Sequence, residues 1–145
     1  MKKILLIVAM CIFTSLMCNA QSISASKIMK YIENQKQTEI AKELLSMGFV
    51  YDGKETNNNM TMYSYSKKAN NGLEKLTIGY NDELFIVHYK PTTNEIYSSI
   101  KEKMLTSDFG YSYSYKTTKY YENGSMRIGV NDTSKSISFF AKKIN

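Results

Sequence analysis

The chain has 145 residues, of which 43% are apolar and 22% charged, with a formal net charge of +6. That length and apolar share suit one domain with an ordinary hydrophobic core, and the charges alternate in sign without the blocks of about 5–6 that mark disordered or polyanion-binding tails. Two cysteines and one histidine leave little material for thiol or metal chemistry.

At the amino terminus Lys2 and Lys3 precede an apolar stretch from Ile4 to Met17 and a small residue at Ala20, the three-part pattern of a secretory signal peptide over residues 1–20. Cleavage is expected after Ala20, giving an exported chain from Gln21, periplasmic or extracellular. The apolar run falls short of the ~20 residues a spanning helix needs, and polar Asn19, Gln21 and Ser22 follow it in place of a basic stop-transfer flank. No transmembrane segment is expected in the mature chain. Lipoprotein processing at Cys18 is disfavoured, because Ser15-Leu16-Met17 lacks the small-residue pattern it requires. Cys11 and Cys18 leave with the signal, which removes disulfides, thiolate metal sites and a cysteine nucleophile. Losing Lys2 and Lys3 lowers the charge from +6 to +4, and the remaining basic residues are lysines apart from Arg127. Export and a mixed-charge surface argue against a nucleic-acid partner.

From Ser24 to Met47 the pattern is helical but changes face. Ile28, Tyr31 and Ile32 mark one stripe, and Ile40, Ala41, Leu44, Leu45 and Met47 mark another on nearly the opposite side of a straight helix. A break between Asn34 and Thr38 reconciles them, with Asn34 and Gln37 spaced as a cap for the second segment and Gly48 as its stop. A further helix is predicted after Pro91, where Thr92 and Glu95 have capping-box spacing. Its apolar face is Ile96, Tyr97, Ile100, Met104 and Leu105, and it ends near Ser107 and Asp108.

After each helical region the period falls to about 2, and β-branched and aromatic residues become frequent. Strands are predicted over Phe49 to Tyr51, Met60 to Lys67, Lys75 to Tyr80 and Leu84 to Tyr89. A second set covers Phe109 to Lys116, Lys119 to Glu122, Met126 to Val130 and Ser136 to Ala141. Asp52-Gly53, Asn70-Asn71-Gly72, Asn81-Asp82, Asn123-Gly124 and Asn131-Asp132 supply turns between them. The halves also match each other. Leu76-Thr77-Ile78-Gly79-Tyr80-Asn81-Asp82 aligns with Met126-Arg127-Ile128-Gly129-Val130-Asn131-Asp132, and Leu44-Leu45 before Phe49 aligns with Met104-Leu105 before Phe109. The fold class is therefore α+β: two tandem units, residues 21–90 and 91–145, each a helical segment followed by about four antiparallel strands. The first unit is expected to be longer in its Asn57-Asn58-Asn59 and Ala69 to Gly72 loops. This layout resembles the β-lactamase inhibitor proteins and similar small envelope proteins, although the mature chain lacks the cysteines for their disulfides. The resemblance implies a sheet whose uncovered face grips another protein, and it carries over no functional residue.

Candidates for chemistry are few. His88 alternates with an apolar set in Leu84 to Tyr89, and no second His or mature Cys exists to share a metal with it. No G-x-S-x-G elbow, glycine-rich phosphate loop or calcium loop occurs. The carboxylates are scattered: Asp82-Glu83 and Asp132 in turns, Glu39, Glu43 and Glu102 on helices. No catalytic residue, metal or cofactor is expected. The distinctive feature is twelve tyrosines without a tryptophan. Tyr63 and Tyr65, and then Tyr111, Tyr113 and Tyr115, alternate with small polar residues on their strands. Either these rings cover the core beneath the helices, or they form an exposed recognition surface suited to protein contacts. In the first unit Met60 and Met62 are an equally good inward face, which would push Tyr63 and Tyr65 outward. The leading expectation is a non-enzymatic protein-binding role, inhibitor-like or immunity-like, through a Tyr-rich sheet face with an unknown protein partner. The alternatives are a binder of anionic glycan or lipid surfaces and, more remotely, an envelope hydrolase.

Overall fold

A computed structural model describes residues 22–144, so the expected signal peptide lies outside the described residues. Helices α1 (Ala25–Asn34) and α2 (Gln37–Ser46) lead into strands β1 (Val50–Asn57), β2 (Met60–Ala69), β3 (Gly72–Tyr80) and β4 (Leu84–Lys90). Helix α3 (Asn94–Met104) then leads into β5 (Gly110–Tyr115), β6 (Thr118–Glu122), β7 (Met126–Asn131) and β8 (Ser136–Lys142). The α+β layout of helical segment plus four strands is thus present twice, with two helices in the first unit and one in the second. All eight strands form one antiparallel sheet in the order β1-β2-β3-β4-β8-β7-β6-β5, each unit being a meander and the two joined along β4 and β8.

The first helical region breaks where the change of stripe requires. Ser24 caps α1 by accepting from the Lys27 amide, and Gln35 ends it in the left-handed region at φ 50°. The expected cap from Asn34 does not form. Asn34 is still helical, and α2 starts from Lys36 without a side-chain cap. Gln35 serves the C-terminus instead, its amide donating to the Lys142 carbonyl and its Oε1 accepting from the Ile144 amide, both at 2.8 Å. Gly48, at φ 84°, stops α2: its amide and that of Phe49 bond back to Leu45 and Leu44, with Leu44 and Phe49 both buried. The α3 cap is Thr93, one residue beyond the expected Thr92, and its hydroxyl accepts from the Ile96 amide at 3.3 Å.

Two strand expectations need correction. Asp52-Gly53 is not a turn. It lies inside β1, where the register shifts between Tyr51 and Gly53, leaving Asp52 as the extra residue of a bulge. The first unit owes its length to its second helix and longer strands rather than its loops: β1 and β2 close on Asn58-Asn59 alone, both at positive φ, and β2 and β3 on Asn70-Asn71.

The core lies between one sheet face and the helices. Leu76, Ile78, Phe85, Val87, Ile128, Val130, Ile137 and Phe139 meet Ile28, Ile32, Ile40, Leu44, Tyr97 and Ile100, all buried. The repeated Ile-Gly places Ile78 and Ile128 in this core. The repeated asparagine acts alike in both turns: Asn81 Oδ1 accepts from the Glu83 and Leu84 amides, and Asn131 Oδ1 from those of Thr133 and Ser134.

One polar cluster interrupts the apolar layer. Glu74 is fully buried, its Oε1 accepting from the Ile23 amide at 3.0 Å and the Tyr89 hydroxyl at 2.5 Å, and its Oε2 lying 3.1 Å from the Lys67 ammonium. Lys67, 4% exposed, lies over the Phe49 ring. Four parts of the chain meet at this carboxylate, so removing it strands a buried cation. Glu74→Ala is expected to lower unfolding free energy by about 3–5 kcal/mol in urea titrations, and Lys67→Met with Glu74→Leu to recover most of that loss. A single variant as stable as the parent would contradict this reading.

Candidate functional site

Side chains alternate across a strand, so residues opposite the buried set lie on the second sheet face, which carries no helix among the described residues. The register brings them into rows. One row runs Ser64, Thr77, His88, Ser138, Gly129, Tyr120 and Tyr113; the next runs Met62, Gly79, Ile86, Phe140, Arg127 and Glu122.

The five tyrosines singled out in the sequence do not form one surface. Tyr65 is buried on the helix side, its hydroxyl accepting from Gln37 Nε2 at 3.3 Å. Tyr63 is half-buried on that side and stacks on Tyr80 with ring centres 6.0 Å apart. Met60 and Met62 point the other way. In β5 the register shifts between Tyr111 and Tyr113, so Ser112 becomes a bulge residue and the alternation reverses. Tyr111 pairs with Tyr121 on the helix side, whereas Tyr113 pairs with Tyr120 on the uncovered face, as does Tyr115 with Thr118. A bulge of one residue therefore splits a strand whose spacing puts all three rings together.

What the uncovered face gains is a cluster that sequence reading missed. Tyr113 stacks on Tyr120 with centroids 4.6 Å apart and planes 16° off parallel, and Phe140 tilts against Tyr120 at 6.1 Å. The Arg127 guanidinium lies 5.6 Å from the Tyr113 centroid and is held by an ion pair with Glu122. Gly129 makes the arrangement possible: a Cβ there would stand 2.9 Å from a Tyr120 ring carbon. Gly79 is its counterpart under Met60 and Met62, at 3.5 Å from each. The available signal was the lone glycine in each alternating run, which marks a place where a neighbouring side chain lies over the backbone.

Beside this cluster, by the Asn123 to Ser125 turn, is a recess of about 240 Å³ lined by Leu84 and Phe140 from this face, by Met126 and Ala141, which also pack against the core, and by Glu122, Arg127 and Lys142. Toward the opposite end of the face Lys68, Lys75 and Lys90 are exposed. Between the two ends, His88 Nδ1 and Ser138 Oγ share a hydrogen bond at 2.7 Å, and the Thr77 and Ser64 hydroxyls are 3.3 Å apart. His88 is flanked by Thr77 and Ser138 across the sheet and by Ile86 and Lys90 along its strand. No carboxylate is among these neighbours to orient the ring, so the Ser–His pair lacks the third member of a hydrolytic triad. Among the described residues no group of three or more His, Cys, Asp or Glu is placed to hold a metal ion, and no helix is long and apolar enough to cross a membrane. No protein-family model, curated protein or solved structure matches the chain.

Burial, and secondarily the Lys90 charge, hold the His88 imidazole below its usual range. Its folded pKa is depressed, so proton uptake favours the unfolded chain. The stability that depends on the neutral ring is complete above the unfolded pKa of about 6.5 and is lost as pH falls through the folded value. With only one histidine in the chain, the NMR titration of its ring protons is expected to have its midpoint below about 6.5. His88→Gln should remove the matching part of the stability slope. A midpoint at or above the usual value would contradict the placement.

Proposed function

We propose that the chain is an exported, non-enzymatic binding protein that recognises another protein through the uncovered sheet face, in the manner of an inhibitor or an immunity factor. The observation that carries this reading is the Tyr113–Tyr120 stack with Phe140 and Arg127 on a face that no helix among the described residues covers. Tyrosine and arginine are the residue types that concentrate binding energy at protein interfaces. Here they are held by strand backbone and by each other, so little conformational freedom remains to be lost on binding. The dimensions also fit. Eight strands at ~4.8 Å spacing, crossed by ~6 residues at ~3.3 Å, give a face of roughly 38 by 20 Å, close to the ~800 Å² that each partner contributes to a standard interface.

The resemblance to the β-lactamase inhibitor proteins points the same way, since tandem helix-plus-four-strand units there imply a gripping sheet face. The lack of a carboxylate beside His88 and Ser138 weighs against the hydrolase alternative. A second reading, binding to anionic glycan or lipid, draws support from Lys68, Lys75 and Lys90, exposed on the same face. Salt separates the two, because lysine-driven surface binding collapses with ionic strength, whereas an aromatic interface tolerates it.

The test is capture from cell-envelope extract with micromolar purified protein as bait, repeated with Tyr113→Ala and Tyr120→Ala together. A discrete partner is expected with the parent, and a loss of about 2 kcal/mol or more in its affinity for the double variant, with urea unfolding confirming that the variant is folded. Capture of nothing, or of the same partner at undiminished affinity, would count against the reading.

A further inference from the structure

The uncovered face is chemically one-sided. Lys75 stands directly opposite Lys90 across the β3–β4 pair, with Lys68 beyond them, and like charges in register destabilise a strand pair. None of the three forms an ion pair among the described residues, nor does Lys142 at the other end. Of the acids sharing the face, Glu122 is paired with Arg127, and neither Asp52, which accepts from the Ser66 hydroxyl at 2.8 Å, nor Glu55 on the edge strand forms an ion pair with these lysines. The surface thus holds lysines without ion pairs at both ends, separated by the polar row of Ser64, Thr77, His88 and Ser138 and by Ile86 and Phe140.

The recess between Leu84 and Phe140 adds a shape. Its volume of about 240 Å³ is below the ~300–1,000 Å³ of small-molecule pockets and leaves room for one large side chain. Glu122, Arg127 and Lys142 also line it, and because Glu122 is paired with Arg127, Lys142 is the lining charge without an ion pair among the described residues.

We propose, resting on the protein-recognition reading above, that the partner presents an acidic surface around one large apolar side chain. That side chain enters the recess with a carboxylate beside it meeting Lys142, and further carboxylates meet Lys75 and Lys90 about six residues along the strands. Charge complementarity of this kind steers encounter and fixes the orientation of the partner, while the seated apolar group supplies the anchor.

The experiment is an NMR titration of the isotopically labelled mature chain with three synthetic dodecapeptides. The first has one phenylalanine flanked by aspartates and a glutamate pair at its far end. The second has every acid replaced by its amide, and the third has serine in place of phenylalanine. The expected result is that the first peptide shifts amides around Leu84, Phe140 and Lys142 and near Lys75 and Lys90. It should bind about tenfold or more tighter than the amide peptide at low ionic strength, an advantage that fades at about 0.5 M salt. The serine peptide should lose the shifts at the recess, and the exposed charge reversal Lys75→Glu with Lys142→Glu should abolish the acidic preference.

If the amide peptide binds the same face as tightly as the acidic one, the acidic-partner inference fails and the recognition reading stands. If neither peptide moves resonances on this face, both fail. If vesicles containing phosphatidylglycerol bind through these lysines and the peptides do not, the occupant is a lipid surface and the proposal is overturned.

Discussion

Among the described residues the helices cover one face of the eight-stranded sheet and leave the other bare. That constraint governs the rest of the molecule. Each strand must send its strongest apolar residues to the covered side, where burying a large side chain contributes about 1.5–3 kcal/mol, and whatever remains must face outward. Phe85, Val87 and Tyr89 go inward from β4, leaving Leu84, Ile86, His88 and Lys90 outside. The joint between the units falls in the middle of the sheet, where β4 and β8 pair and Val87 meets Phe139. The outer face is therefore continuous from one unit to the other.

The edges and glycines decide what that outer face contains. Both edge strands, β1 and β5, carry a bulge near their start, at Asp52 and Ser112. A bulge at an edge disturbs the unpaired ladder and discourages further strands from adding. In β5 it also delivers Tyr113 to the outside, where Gly129 has cleared the space that Tyr120 fills. The aromatic cluster is thus built by backbone irregularity in one strand and a missing side chain in another. On the inner face the unusual element is Glu74, which no apolar pattern asks for. It joins Ile23, Lys67 and Tyr89, and so fixes the segment before α1 against the sheet.

Much of the architecture was legible because it rests on periodicity. The stripes of α1 and α2 demanded a break, which the structure supplies at Gln35. The alternation in Lys75 to Tyr80 and Ser136 to Ala141 marked strands, and Ile-Gly followed by Asn-Asp marked the matching hairpins. The tyrosine surface was not legible for a reason specific to strands. With a period of two, one extra residue reverses every later side chain, and nothing in Gly110 to Tyr115 announces that Ser112 is that residue. Asp52-Gly53 failed the opposite way, since composition suited to a turn serves equally in a bulge. Tyr120 and Arg127 came together only through the register of β5, β6 and β7, a long-range pairing that local spacing does not specify.

The most direct measurement of whether the uncovered face is the contact surface is site-specific photo-crosslinking in the cells that produce the protein. A benzophenone side chain would be placed in turn at Thr77 and Met62 on that face and at the exposed Lys42 on the helix side. Adducts of one discrete protein from Thr77 and Met62, and none from Lys42, are the result this account requires. Adducts arising from Lys42 alone would contradict it.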